Sequence, residues 1–329
     1  MAVVRRDILT SPHAQMFLAG VVTLSQRGTG ITPAQINQSA LVGRAPGARL
    51  VGPPAQLAQE LSWWDLFVWW HMAAMSWPAA PGNRAHEGPI FLPWHRLFLR
   101  RLEEAIQTVT ADPSFALPYW DWASAGAAPA AAQLTDPIWN QLGNPRGNVT
   151  QGTVGQLRVR LYGTSNGIVV GGPRPIWRDA GRRVRTLPDL TSQQWTLADG
   201  LYDGPSWGRA ADSFRNKLEG WQDPREDPQT REPAWMHNRV HVWVGGDMGP
   251  GTSPNDPIFF LNHCNVDRIW EGWMRRRGRV YLPPAGQGPP GQRATDPLFS
   301  IVWPSMRADE VLDSTETGLD WYRYDVLPP

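Results

Sequence analysis

Histidine is scarce in this chain and unevenly placed: seven residues, at positions 13, 71, 86, 95, 237, 241 and 263. Six of them form an early triplet, His71, His86 and His95, and a late triplet, His237, His241 and His263. His237 and His241 stand at i and i+4, so on a helix their imidazoles lie one turn apart on one face and can share a metal ion. Three neutral imidazoles with open coordination positions suit copper or zinc. A hydrolytic zinc site built on H-x-x-x-H requires the glutamate of H-E-x-x-H as general base, and here that position is Asn238. His86-Glu87 is a His-Glu pair, but Gly88-Pro89 follows it and breaks a helix. The pattern favours a pair of three-histidine sites over a protease. His13 stands apart and reads as a surface or cap residue.

The surrounding sequence supplies the elements that would position these rings. From Ala55 to Met75 apolar residues return at helical spacing, with Leu57, Leu61, Trp64, Phe67, Val68 and His71 near one face. The stretch 78–89 is loop by its Pro/Gly punctuation and carries His86. A helix beginning near Pro93 takes His95 through Phe98, Leu102 and Ile106 to Val109, and Asp112-Pro113 ends it. A helix around Ala211–Trp221 leads through a polar loop, 222–232, into a helix with His237 and His241 that Gly245-Gly246 stops. Asp256-Pro257, an N-cap followed by first-turn proline, opens a helix from Ile258 to about Arg277 that carries His263. A further helix is expected over 14–22 after Ser11-Pro12. Residues 28–54 read as a surface insertion, 123–209 as loops with minor strands, and 283–292 as a Pro/Gly linker, all within a single domain spanning 1–329.

Composition narrows the partners. With 41% hydrophobic and 19% charged residues in 329, the chain has enough apolar side chain for a sizeable core. Lys+Arg and Asp+Glu nearly balance at 31 and 30, with no basic block, which argues against nucleic acid. Apolar runs such as 17–24 and 66–75 fall short of the roughly 18 residues that span a bilayer, so no membrane is expected. The first residues, Met-Ala-Val-Val-Arg-Arg-Asp, lack a signal-peptide core, so the chain is expected in the cytoplasm or exported with a partner. Cys264 is the single cysteine, which excludes an intramolecular disulfide and any multi-cysteine metal site. The nineteen tryptophans are the other unusual feature, several of them flanking the histidines.

Phe91-Leu92-Pro93-Trp94-His95-Arg96, Leu117-Pro118-Tyr119-Trp120-Asp121-Trp122, Phe214-Arg215-Asn216-Lys217-Leu218-Glu219-Gly220-Trp221, His237-Asn238-Arg239-Val240-His241-Val242-Trp243 and Ser253-Pro254-Asn255-Asp256-Pro257-Ile258-Phe259-Phe260 resemble the bacterial tyrosinase family of type 3 dicopper oxidases. The resemblance implies a mainly α-helical domain with long loops and a dicopper centre inside a four-helix core. It implies that His71, His86 and His95 hold one copper and that His237, His241 and His263 hold the other. It also implies that Glu219 and Asn238 hold a water that deprotonates a monophenol. The substrate would be a small phenol or aminophenol together with O2, and a small copper-loading partner is implied by the actinobacterial relatives.

The variant Leu261-Asn262-His263-Cys264-Asn265 resembles the o-aminophenol oxidase branch of the family, with ordinary tyrosinase (monophenol hydroxylation and o-diphenol oxidation) and a haemocyanin-like O2 carrier as the alternatives. No cysteine lies near His86, so the thioether crosslink of some relatives is absent. Tyr322-Arg323-Tyr324 matches the Tyr-x-Tyr motif after which plant and fungal members continue into a shielding domain, and none is expected here. Asp267, at i+4 from His263, is read from its spacing either as a carboxylate that orients the helix or imidazole or as a salt-bridge partner of Arg239 or Arg268.

Overall fold

The computed structural model describes residues 2–76, 82–164, 167–223 and 234–328. The loop expected at 78–89 is therefore seen from residue 82 and the polar loop at 222–232 up to residue 223; the rest of both lies outside the described residues. The principal helices are α1 (Ala14–Gln26), α2 (Trp63–Met75), α3 (Phe91–Thr110), α4 (Leu190–Ala198), α5 (Phe214–Glu219), α6 (Met236–Val244) and α7 (Ile258–Arg277). The strands that matter here are β1 (Val3–Arg5), β2 (Leu50–Val51), β3 (Val159–Thr164), β4 (Gly167–Arg174) and β5 (Tyr322–Tyr324). The fold is mainly α-helical, with α2, α3, α6 and α7 as its central four helices.

Local chemistry sets the helix starts. The helical spacing from Ala55 does not produce one helix: Pro54–Leu57 forms a single turn, and α2 begins afresh at Trp63. A capping box causes this, with Ser62 Oγ accepting from Asp65 N at 3.0 Å and Asp65 Oδ2 accepting from Ser62 N at 3.0 Å. Ahead of it, Leu61 N donates to Ile31 O at 2.8 Å, which holds the chain extended. The N-cap of α7 falls one residue later than the Asp-Pro pattern predicts, with Pro257 at that position and Asp256 just before it. Asp256 Oδ1 accepts from Ile258 N at 3.1 Å, and both carboxylate oxygens take the buried Arg178 guanidinium at 2.6 and 2.9 Å.

Three stretches are more ordered than composition suggests. Within 28–54 a second capping box, Thr32 with Gln35, starts a short helix, and Ile36, Val42, Ala45, Ala48 and Leu50 are buried. β2 pairs in parallel with β4, and Trp69 Nε1 donates to Ala48 O at 2.9 Å, so this segment is stitched into the domain instead of lying on it. Within 123–209, β3 and β4 form an antiparallel pair, and Asp189 caps α4 by accepting from Ser192 N at 2.8 Å. Residues 283–292 do not act as a linker. Gln292 is buried, accepts from Ile90 N at 3.0 Å and donates to Asn83 O at 3.1 Å, bracing the loop that carries His86.

The core is aromatic. Phe67, Trp70, Trp94, Phe98 and Phe260 are fully buried, and their rings pack edge to face or stacked with centroids 4.9–6.3 Å apart. Asp267 orients its helix, as one of its two readings has it, but through partners that the spacing did not name. Its carboxylate takes Arg96 Nε at 2.6 Å and the hydroxyls of Tyr322 and Tyr324 at 2.5 and 2.6 Å, and touches neither an imidazole nor Arg239 or Arg268. It ties α7 to α3 and to β5, which pairs in parallel with β1. Arg268 instead reaches Asp121 at 3.4 Å. Among the described residues no helix is long and apolar enough to cross a membrane.

Candidate metal centre

The four central helices and one loop bring the six histidines together. His71 comes from α2, His95 from α3, His237 and His241 from α6, His263 from α7, and His86 from the loop before α3. Within each triplet the candidate ligand nitrogens lie within 4.8 Å of one another. The two triplets face each other: the rings of His95 and His263 stack at 4.1 Å between centroids, and those of His86 and His237 lie 6.3 Å apart. His13 is far from them in role, standing at the N-cap position of α1 without a side-chain capping bond and accepting at Nδ1 from Ala116 N at 3.0 Å.

Backbone carbonyls set the orientation of four of the rings. The Nδ1–H groups of His71, His95, His237 and His241 donate to the carbonyl oxygens of Gly251, Phe91, Glu219 and Met248 at 2.6, 2.8, 3.0 and 2.7 Å. This fixes the tautomer that leaves Nε2 with a free lone pair, as metal-binding histidines require. The Nε2 atoms of His71, His95 and His241 are buried without a hydrogen-bond partner among the described residues. So are Nδ1 of His86 and of His263, and His237 Nε2 lies 3.0 Å from His263 Nε2. Buried polar atoms are ordinarily paired. The orphaned Nε2 lone pairs of His71, His95 and His241, in triplets whose candidate ligand atoms lie within 4.8 Å of one another, are what two cations would satisfy, and an all-imidazole donor set fits copper. Burial pushes His71 down to about 3 and His241 to about 4, so the rings are neutral and ready to ligate at neutral pH.

The centre opens on one side. His71, His86, His237 and His241 line a cavity of about 380 Å³, while His95 and His263 sit deeper. Met75, Asn238, Val242 and Pro250 form its walls. At its rim Arg209 Nη2 pairs with Glu87 Oε1 at 2.7 Å, and the guanidinium lies 3.8 Å over the Trp221 ring.

Glu219 is fully buried behind this cavity. Its Oε1 accepts from Glu87 N at 2.6 Å, its Oε2 takes Arg215 Nη1 at 2.9 Å, and burial raises its pKa with Arg215 offsetting part of the rise. Glu87, next to His86, has φ 64°, a left-handed conformation that costs a non-glycine residue roughly 1–3 kcal/mol. Glu219 therefore clamps the turn that presents one imidazole and offers its own carbonyl to another. Sequence reasoning missed this duty, and it missed Gln292 altogether; neither role leaves a local signal. The variant positions beside His263 do not line the cavity. Cys264 Sγ faces Leu117 O and the Tyr324 hydroxyl, both at 3.7 Å, and burial pushes its thiol up to about 12, so it is no metal ligand. Asn262 is fully buried, with no partner for either side-chain polar atom among the described residues.

A helical bundle enclosing two facing three-histidine sites defines a type 3 dicopper protein. The model of the common central domain of tyrosinase matches residues 61–276, which include all six histidines. A tyrosinase from Streptomyces glaucescens is 39% identical over 230 residues, covering 68% of this chain and 77% of that protein. In structure, a polyphenol oxidase of Thermothelomyces thermophila aligns with a TM-score of 0.62 at 20% identity, covering 98% of this chain and 88% of the other. A functional unit of octopus hemocyanin aligns at 0.50 and 18%, covering 99% and 68%. These two show a shared fold. The chain belongs to the tyrosinase family, and its two histidine triads can accommodate the two coppers of that family's centre.

Proposed function

We propose that this copper oxidoreductase uses O2 to oxidise o-aminophenols and catechols, and monophenols more slowly, with one copper held by His71, His86 and His95 and the other by His237, His241 and His263. The observation that carries this reading is a cavity of about 380 Å³ into which imidazoles of both triads open, a volume within the range of small-molecule sites. Copper at these positions supplies one-electron redox chemistry on two adjacent ions and the capacity to take up dioxygen. The chain supplies the rest. The carbonyls of Gly251, Phe91, Glu219 and Met248 hold the imidazoles in one tautomer, and the phenylalanine shell around them keeps water out. A small copper-loading partner belongs to this reading through the likeness to actinobacterial relatives alone.

Asn238 lines the cavity and Glu219 stands behind it, and in this reading the two orient a water that takes the phenolic proton. A phenol has a pKa of about 10, so this step weighs on monophenols most. The raised carboxyl of Glu219 suits a base. Glu219→Gln keeps an acceptor for Glu87 N and removes the charge. General-base contributions are roughly 10²–10⁴-fold, so with a residual base such as a ligand imidazole the ratio of monophenol to diphenol activity is expected to fall at least about tenfold, with copper content unchanged. A parallel decline of both activities would make Glu219 purely a clamp.

The substrate preference rests on the likeness of Asn262 and Cys264 to the aminophenol branch, and ordinary tyrosinase activity fits the fold and centre equally well. A panel of o-aminophenol, catechol and tyrosine under air decides. Faster oxidation of o-aminophenol and catechol is the expected result; tyrosine as the best substrate would replace this reading with a tyrosinase. Reversible O2 uptake with no turnover of any of the three would make the protein a carrier.

A further inference from the structure

Tryptophan is abundant around the histidines, and four indoles form a continuous line that the oxidation of a substrate in the cavity does not use. Trp94 packs edge-on against His95 with centroids 4.8 Å apart and lies 5.9 Å from His71. Trp70 meets Trp94 at 5.7 Å, Trp303 stacks on Trp70 at 4.9 Å, and Trp63 meets Trp303 at 6.0 Å. The inner two are wholly buried and the outer two are partly exposed. The line ends at the first turn of α2, where Trp63 and Trp303 line, with Leu24, Arg27 and Glu104, a separate cleft of about 190 Å³ that shares no lining residue with the substrate cavity. Among the described residues Trp94 is the one tryptophan in ring contact with the candidate ligands; the other aromatic neighbours of those rings are phenylalanines, which are much harder to oxidise.

We propose that these four tryptophans conduct electrons from the surface cleft to the copper pair when dioxygen is taken up with no phenol in the cavity. The inference rests on the dicopper reading. Reduction of O2 to two waters needs four electrons and four protons; the two Cu(I) ions provide two electrons, and a substrate ordinarily provides the others. Without it, Trp94 gives up one electron at a time, and the vacancy passes through Trp70 and Trp303 to Trp63. There a small one-electron reductant, such as a thiol or ascorbate, refills it; two reductant molecules each lose one electron, and water supplies the protons. The indole N–H groups of Trp70 and Trp94 both donate to Phe299 O, at 3.1 and 2.9 Å. A neutral carbonyl is too weak a base to take an indole proton, so an oxidised inner tryptophan stays a cation and passes its vacancy on. The effect is to keep the oxidising equivalents away from the ligand imidazoles.

The test is a single exposure of Cu(I)-loaded protein to air with neither phenol nor reductant, followed by peptide mass spectrometry. A vacancy stranded on Trp63 or Trp303 is captured by water, and loss of a second electron leaves one added oxygen atom on that indole. Modification of Trp63 and Trp303 is expected in the loaded protein and not in the copper-free protein treated alike. Trp70→Phe should abolish it at unchanged copper content, and added ascorbate should suppress it in the wild type. Trp63→Phe, which alters only a half-buried side chain, covers the case in which the core variant fails to fold: modification should then stop at Trp303. Unchanged labelling of Trp63 in Trp70→Phe, or no labelling in the loaded wild type, overturns the inference. A protein that holds no copper overturns the dicopper reading and this inference with it, whereas two coppers with unlabelled tryptophans overturn the inference alone.

Discussion

Replacing His263 with alanine is expected to abolish copper-dependent oxidation of catechol, while the same change at His13 leaves it intact. His263 is wholly buried on α7, its Nε2 lies 3.0 Å from that of His237, and its ring stacks on His95 of the other triad. Alanine leaves two imidazoles where three converge and removes the ring that packs the triads against each other. Metal analysis should read about one copper per chain, against two in the wild type, and a thermal melt of the copper-free proteins separates loss of ligand from loss of fold. His13 makes one hydrogen bond to Ala116 N and one ring contact with Phe115, 5.7 Å between centroids. Its removal costs about the 1 kcal/mol of an ordinary hydrogen bond, with copper content and turnover retained. Equal loss of activity in both variants, with both still folded, would mean that the ligand assignment is wrong.

What made the centre legible in the sequence was periodicity. His237 and His241 at i and i+4 need only a helix to meet, and Asp256-Pro257 and the Gly245-Gly246 stop announce such helices through purely local chemistry. Ser62 and Asp65 carry equally local information, and that capping box is why α2 starts at Trp63 and not at Ala55. What was not legible depends on partners far apart in the chain. Gln292 reaches back to Asn83 and Ile90, and Glu219 reaches Glu87, whose left-handed backbone has no glycine to advertise it. Asp267 shows the same limit. Its helical spacing from His263 is real, but its partners, Arg96 and the two tyrosines of β5, come from other elements, and spacing alone could not choose them. The insertion at 28–54 looked polar because its six buried residues are small or isolated, and only the pairing of β2 with β4 shows why they are inside.

The copper-free protein is expected to unfold in mild acid, and copper to protect it. Burial lowers all six candidate ligands below the ordinary histidine value of 6.5, His71 to about 3 and His241 to about 4. In the unfolded chain these rings take up protons as pH falls through about 6.5; in the folded chain burial delays all six to lower pH, His71 to about 3 and His241 to about 4. The unfolded state therefore binds more protons throughout that window, so stability is full above it and declines as pH falls toward the folded values. Each pKa unit is worth about 1.4 kcal/mol, so even two such histidines can remove several kcal/mol from a domain whose total stability is of order 5–15 kcal/mol. Copper binds the neutral imidazoles of the folded state and competes with these protons, so loading should shift the transition to lower pH. Tryptophan fluorescence and far-ultraviolet circular dichroism followed from pH 8 to 3 give the midpoints, expected roughly between pH 4 and 6 for the copper-free protein, the interval between its folded and unfolded histidine values. Coincident midpoints with and without copper, or a copper-free protein still folded at pH 3, would show that the six imidazoles are neither as neutral nor as closely gathered as the structure places them.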